Sequence, residues 1–340
     1  MNMITLADQL DTGKTNIYFL KRFWSKQILR RNGQLAVDTL LEEWKMDTAL
    51  MDALGLGIEQ TIVFLYQQNP GFDAFEDWVL QINQGYISQE RINRFNSLFT
   101  ATPKTLEPLP PMDPVLSKED WLFWEEHGYI IIPNAITPEQ CTATESLIWE
   151  HMGVDKNDPS TWYQEHKDRQ GIMLQLFQHP VLEANRHSPR IRKAYEELWG
   201  HTDIWVNTDR VGFNPPETSK WHFPGPHLHW DVSLSLPIPF GLQGILYVTD
   251  TEAEQGAFTL VPGFQHRIEN WIHGLPPGID PRYEDLHTLG STPLAGKAGD
   301  FIIWHHALPH GSRPNRTSKP RLVQYINWQP VEREIREGWR

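Results

Sequence analysis

Pro226-His227-Leu228-His229-Trp230-Asp231-Val232-Ser233-Leu234 sets a histidine and an aspartate two positions apart in a short stretch of alternating character. The alternation predicts an extended strand, in which side chains i and i+2 share a face, so His229 and Asp231 project together. An imidazole and a carboxylate side by side can share a metal ion. The same spacing arises by chance in many surface pairs, so it gains meaning only with a further ligand from elsewhere in the chain.

Around this stretch, runs rich in β-branched and aromatic residues predict further strands over 204–213, 242–248, 257–261, 300–304 and 321–328, divided by Gly, Pro and Asn turns. Short strands without helical crossovers between them imply a sandwich or jelly roll. Just upstream, Trp121 to Pro133 reads as a short helix passing through Gly128 into an apolar strand. Thr137-Pro138-Glu139-Gln140 then opens another helix, with Thr as N-cap, Pro at the first helical position and Gln at the capping-box position. The long connection 263–297, which carries His266, Arg267, Trp271 and His273, is expected to be either a lid or a helical insertion with a packing role.

The first hundred residues have helical periodicity. Phe75, Trp78, Val79 and Ile82 recur at i, i+3, i+4 and i+7 behind an apparent cap at Asp73 with Glu76 three residues on, and Val37, Leu40, Leu41 and Trp44 repeat the spacing. Gly55, Gly57, Pro70 and Gly71 punctuate these segments. Five prolines between Thr102 and Pro114 predict an extended connection. The expected organisation is a helical accessory domain over 1–101, a Pro-rich linker over 102–114 and a mainly β domain with flanking helices over 115–340.

Composition narrows the function classes. Of the 340 residues 39% are hydrophobic and 21% charged, values of a globular chain long enough to bury a substantial core. A formal net charge of -13 argues against a nucleic-acid partner, whose phosphates require Lys and Arg. The lone cysteine, Cys141, has no disulfide partner and no zinc-finger spacing, and is expected to be a buried apolar residue. The N-terminus lacks the basic start and apolar stretch of a signal peptide, and no apolar run is long enough to span a bilayer, which predicts a soluble, cytoplasmic protein. Fifteen Trp suggest aromatic pocket walls as well as core.

The second chemically informative stretch runs from Gly299 to Arg321. His305, His306 and His310 compete within it for the part of third ligand. His310 is preferred because it ends an apolar run against Gly311-Ser312, where backbone can approach an ion closely. A second imidazole completes the 2-His-1-carboxylate set that holds non-heme Fe(II) with positions left open. Arg321, eleven residues beyond His310, suits an enzyme that uses 2-oxoglutarate, because a guanidinium can clamp the distal carboxylate of that cosubstrate. Asp209, Arg210 and Asn214 are candidates to face substrate, while His222 and His227 are more simply read as ordinary polar residues.

His229-Trp230-Asp231, His310-Gly311-Ser312 with Asn315, and Arg321 resemble the phytanoyl-CoA dioxygenase family of Fe(II)/2-oxoglutarate oxygenases, as do Gly128-Tyr129-Ile130-Ile131 and the Gly256 to Gly263 turn. The resemblance covers roughly 115–330. It implies a double-stranded β-helix (jelly-roll) core, iron held by His229, Asp231 and His310, and 2-oxoglutarate anchored by Arg321 with help from Ser312. It also implies Tyr247 near the cosubstrate, O2 as second cosubstrate, and release of succinate and CO2. Pro262-Gly263-Phe264-Gln265-His266 departs from the Pro-Gly-Ser-His common in relatives, and the helical N-terminal hundred residues have no counterpart in the family's catalytic core. Retention of Asp231 favours oxygen insertion over halogenation. The expected partner is a small-molecule substrate, an acyl thioester or a secondary metabolite, with no nucleic acid and no membrane. The competing expectation is a non-enzymatic jelly-roll ligand-binding or interaction protein that offers its helical segment to a partner.

Overall fold

The computed structural model describes residues 4–100 and 113–336, so the proline-rich connection expected over 102–114 lies almost wholly outside the described residues. Helices α1 (Leu20–Arg31), α2 (Trp44–Leu54), α3 (Ile58–Gln68), α4 (Phe72–Ile82) and α5 (Gln89–Asn96) come first. After them follow α6 (Lys118–His127), β1 (Tyr129–Ile132), α7 (Pro138–Met152), β2 (Arg169–Gln170), β3 (Met173–Leu174), α8 (Pro180–Arg186) and α9 (Pro189–Trp199). The rest of the chain is mostly strand: β4 (Ile204–Val206), β5 (Val211–Asn214), β6 (Leu242–Tyr247), β7 (Thr259–Leu260), then α10 (Ile268–Gly274) and β8 (Thr292–Pro293). It ends with β9 (Phe301–His305), β10 (His310–Gly311), β11 (Arg321–Tyr325) and β12 (Trp328–Pro330). Among the described residues no single helix is long and apolar enough to cross a membrane.

The chain forms two compact units. One gathers the N-terminal helices, Asp203–Thr208 and the stretch that begins at Gln329. Its core includes Leu20, Phe23, Leu50, Phe75, Phe95 and Trp205. Inside it the fully buried Lys26 reaches Glu43 at 2.8 Å and Asp47 at 2.6 Å. Burial pushes the Asp47 carboxyl up to about 6, against the pull of Lys26.

Two local expectations fail in this unit. The spacing of Val37, Leu40, Leu41 and Trp44 does not make a helix: Val37 and Trp44 are exposed, Leu40 is left-handed at φ 61°, and α2 begins only at Trp44. The cap of α4 is Gly71, not Asp73. Glu76 turns away from the capping position because its carboxylate accepts from the Lys14 and Thr15 backbone N–H groups and the Thr15 hydroxyl.

The second unit is built on a seven-stranded antiparallel sheet in the order β1-β9-β6-β11-β5-β3-β2, with a three-stranded sheet β10-β7-β8 opposite. The apolar core between them joins Ile245, Tyr247, Ile302, Trp304 and Val323 of the large sheet to Leu260 of the small one. On the outer face Ile148, Trp149 and Met152 of α7 pack with Val211, Phe213 and Leu322. Two antiparallel sheets closed over one core, with helices flanking the outside, make the jelly roll anticipated from the strand pattern. α7 starts as its sequence predicts, with Thr137 accepting from Gln140 N–H, and its Cys141 is buried.

α8 and α9 were not anticipated, although both carry proline in the first turn and α9 buries Ile191, Ala194, Tyr195 and Leu198 at helical spacing. The stretch 204–213 breaks into β4 and β5, and 321–328 into β11 and β12. The connection 263–297 contains α10 and short 3-10 turns that bury Phe264, Ile268 and Leu286.

Candidate metal centre

The stretch 227–234 is not a ladder strand, contrary to its alternation. It makes one antiparallel bridge, His229 with His310, in which each residue's N–H donates to the other's carbonyl, at 2.9 and 3.0 Å. Pro226 and Pro237 bracket it and carry no N–H for a longer ladder. The side-chain alternation nevertheless holds. Trp230 turns into the apolar core and donates its indole N–H to the Ala307 carbonyl, while His229 and Asp231 meet on the other side. Gly311 lets β10 come this close: a Cβ there would stand 2.3 Å from the His227 carbonyl oxygen.

His229 Nε2 lies 3.3 Å from Asp231 Oδ1, and His310 Nε2 lies 3.2 Å from Asp231 Oδ2. Both Nδ1 atoms face backbone carbonyls, of His227 at 2.7 Å and Leu308 at 3.0 Å. With Nδ1–H donating there, each Nε2 faces the space shared with the carboxylate, donating to Asp231 while it is protonated and free to offer its lone pair to a metal once it is not, the arrangement that backbone partners impose on metal-ligating histidines. The His310 side chain is 4% exposed and the Asp231 side chain 52%, so the centre opens on its carboxylate side.

Burial works to raise the Asp231 carboxyl, but hydrogen bonds and charge from the two imidazoles outweigh it and hold the group well below the usual carboxylate range. Burial likewise opposes protonation of His229, and Asp231 overcomes it, raising that imidazole. His229, Asp231 and His310 together could hold a metal ion. His305 and His306 point elsewhere: His305 Nδ1 accepts from the Ala307 N–H, and His306 Nε2 is 2.5 Å from the Pro239 carbonyl.

Arg321 is fully buried, and its Nη2 donates to Ser312 Oγ at 2.9 Å. Its Nε and Nη1 are buried without a hydrogen-bond partner among the described residues. Across the β5–β11 pair Arg321 stands opposite the buried Asn214, whose Oδ1 also lacks a partner. Buried unsatisfied polar groups are rare and costly, and a buried guanidinium with spare N–H donors marks a place for an anionic ligand. Tyr247 is buried close by, pushed up to about 12 chiefly by burial. Its hydroxyl donates to the Leu294 carbonyl at 2.7 Å and accepts from the Phe258 N–H at 3.0 Å, which ties it to backbone.

Two residues at this site escaped sequence reasoning. Gln243 Nε2 donates to Asp231 Oδ2 at 2.8 Å. Tyr325 lies on the Arg321 face of β11, where burial raises its phenol and the charges of Arg321, Asp209, Arg210 and Asp231 all act on it. The only signal for either was strand parity: Gln243, Ile245 and Tyr247 share one face of β6, and Arg321, Val323 and Tyr325 one face of β11. Asp209 and Arg210 pair with each other at 3.3 Å.

Comparison with known proteins sets this geometry in a family. A relative in Dictyostelium discoideum, a phytanoyl-CoA dioxygenase-like protein, is 25% identical over 261 residues, 62% of this chain and 74% of its own length. Ectoine dioxygenase of Nocardia farcinica is 20% identical over 281 residues, 75% of this chain and 93% of that enzyme. Among solved structures, iron-bound EctD from S. alaskensis matches with TM-score 0.49 at 18% identity, over 67% of this chain and 82% of that one. The model of the phytanoyl-CoA dioxygenase family matches residues 124–323, more than half of the chain and including His229, Asp231, His310 and Arg321, and the chain therefore belongs to the phytanoyl-CoA dioxygenase family.

Proposed function

We propose that this chain is an Fe(II)/2-oxoglutarate-dependent dioxygenase that hydroxylates, or otherwise oxidises, an unactivated C–H bond of a small metabolite. His229, Asp231 and His310 would hold the iron, and Arg321 with Ser312 would anchor the distal carboxylate of 2-oxoglutarate. Tyr247 would act from behind, fixing the wall of the cosubstrate pocket through its two backbone hydrogen bonds. The family match supports the reaction class, and the donor set supports the metal: two neutral imidazoles and one carboxylate leave positions open for a chelating 2-oxo acid.

The observation that carries the proposal is the buried Arg321 with two unpartnered N–H groups, held by Ser312 two residues past His310 and close enough to the cluster that its charge and that of Asp231 both act on Tyr325. When iron, 2-oxoglutarate and O2 are bound, they supply the oxidant that converts R–H to R–OH with succinate and CO2 as coproducts. The protein's own residues do the remainder. Arg321 fixes the cosubstrate's orientation, and the apolar walls of Trp304, Phe258 and Leu260 exclude water from the buried side of the centre. The N-terminal helices, with Asp203–Thr208 and the stretch from Gln329 that share their unit, are proposed as an accessory unit to the oxygenase domain.

Anaerobic addition of Fe(II) and 2-oxoglutarate to the purified protein tests the reading. The expected result is a weak visible charge-transfer band, followed by succinate formation once O2 is admitted. A protein that shows neither the band nor any succinate would overturn it.

A further inference from the structure

A second group of side chains that could hold a metal ion gathers beside α7. His151 belongs to α7, whose Ile148, Trp149 and Met152 pack on the outer core with Val211, Phe213 and Leu322, whereas the His310 ring of the first cluster packs with Phe258 and Trp304 of the inner core. His151, His166 and Asp168 bring one ligand atom each to within 4.8 Å of one another. His151 Nε2 is 3.3 Å from Asp168 Oδ2, yet it is buried and has no hydrogen-bond partner among the described residues, so this approach lies outside hydrogen-bonding geometry. The His151 and His166 rings stand edge to face with centroids 5.2 Å apart. His166 Nδ1 accepts the Asp168 backbone N–H at 3.2 Å, which turns the ring and the carboxylate into one tight bend beside α7.

From this geometry we infer that His151, His166 and Asp168 form a second divalent-metal site, one that takes a late first-row ion such as Zn2+, Co2+ or Ni2+ and ties the loop after α7 to the helix end. Two imidazoles and a carboxylate prefer these borderline ions to Mg2+ or Ca2+, which require more oxygen ligands. A buried imidazole nitrogen 3.3 Å from a carboxylate oxygen, without a hydrogen bond to it, is a donor set that a cation would satisfy when the nitrogen is deprotonated. The three ligands come from two chain segments, α7 and the bend at His166–Asp168, so metal binding restrains the intervening loop. Three protein ligands also leave a fourth, solvent-facing position for water. The site is assigned no part in the oxidation chemistry, because α7, which carries His151, packs on the outer core, whereas His310 packs with Phe258 and Trp304 of the inner one.

Co(II) titration of the full-length protein, followed by visible absorption and by metal analysis after gel filtration, decides the matter. The expected result is a second equivalent of Co(II) beyond that bound at the His229 cluster. It should be lost in His151→Ala and in Asp168→Asn, with succinate formation unchanged, and retained in His310→Ala. Asp168→Asn keeps the side-chain volume, so it protects the comparison against a folding defect in His151→Ala. Thermal unfolding gives an independent readout, since Zn(II) should raise the midpoint of His310→Ala by several degrees and leave the His310→Ala/Asp168→Asn double variant unmoved. A single equivalent that disappears in His310→Ala and is unaffected by His151→Ala and Asp168→Asn would overturn the inference. Because that outcome concerns only the outer site, it would leave the oxygenase reading standing.

Discussion

Arg321 is fully buried, with one guanidinium nitrogen on Ser312 and two others unpartnered among the described residues. A lysine would keep the charge but not the fork, and hydrogen bonds to charged groups contribute about 1.5–3 kcal/mol each. Arg321→Lys is therefore expected to weaken 2-oxoglutarate by a factor on the order of 10 to 100 while Fe(II) affinity stays near wild type, as read by titrating the charge-transfer band. Gln243 acts one step further from the ion. Its amide donates to Asp231 Oδ2, the same oxygen that lies beside His310 Nε2, so it sets the carboxylate's rotation. Removal of such outer partners typically costs about 10- to 100-fold in metal affinity. Gln243→Leu should lose affinity for Co(II) on that scale in a dye-competition assay, with its far-UV circular dichroism unchanged. An affinity equal to wild type would mean that the imidazoles alone orient Asp231.

Gly311 joins residue chemistry to the architecture of β10. Its Cα passes so close to the 226–228 backbone that an added Cβ would stand 2.3 Å from the His227 carbonyl oxygen, and that carbonyl is the partner of His229 Nδ1. Gly311→Ala must push β10 away from the His229 segment, break the paired bonds between His229 and His310, and disorganise both imidazoles at once. The expected outcome is loss of Co(II) binding at the centre in a protein that still unfolds cooperatively, since the seven-stranded sheet does not include β10. The same element shows how far the sequence could be read. The buried strands β6, β9 and β11 announced themselves, because apolar and β-branched runs bounded by Gly and Pro leave little alternative. His229, Asp231 and His310 were legible as a set because i, i+2 parity survives in a stretch that makes a single bridge. The missing ladder around His229 was not legible, since pairing depends on what lies opposite and no local pattern records that. Gln243 and Tyr325 were hidden for a related reason: a polar residue on a strand reads as solvent-facing until the opposite sheet shows which side is the core. The false helix over 37–44 had the right spacing, but Val37 and Trp44 find no core to cover them, and periodicity without burial does not hold a helix.

The N-terminal helices do not close their own core. Within their unit Trp205 and Val331, contributed by distant parts of the chain, are buried with Leu20, Leu50 and Phe95. The Arg94 guanidinium bonds Asp203 Oδ1 and the Ile204 carbonyl, each at 2.9 Å, and lies 3.8 Å over the Trp205 ring. Gln329 donates to Asp52 at 3.3 Å, and Arg333 to Thr48 at 3.1 Å. The unit also buries a charge cluster with a distinctive pH signature. Because burial raises Asp47 from 3.8 to about 6, the folded unit holds that proton to higher pH than the unfolded chain does. Its contribution is complete below about pH 4 and is lost as pH rises to about 6, at about 1.4 kcal/mol per pH unit. Glu43 runs the other way: burial raises it, but Arg22 and Lys26 outweigh that and lower it, so its contribution is lost as pH falls below its ordinary value. Wild type minus Asp47→Asn isolates the first effect, and calorimetry should find that difference shrinking between pH 4 and pH 6. Cutting the chain after Thr100 provides the stronger test of how the unit is assembled. A fragment 1–100 lacks Trp205 and Val331, whose burial contributes about 1.5–3 kcal/mol for each large side chain, out of a stability of about 5–15 kcal/mol for a typical domain. Its α5, which carries Arg94, also loses the partners that this side chain holds. Backbone amides of α5 should therefore exchange at least ~100-fold faster in the fragment than in the full chain, the ratio that a loss of about 3 kcal/mol gives. Equal protection in the two would show that the helices fold without the returning segments.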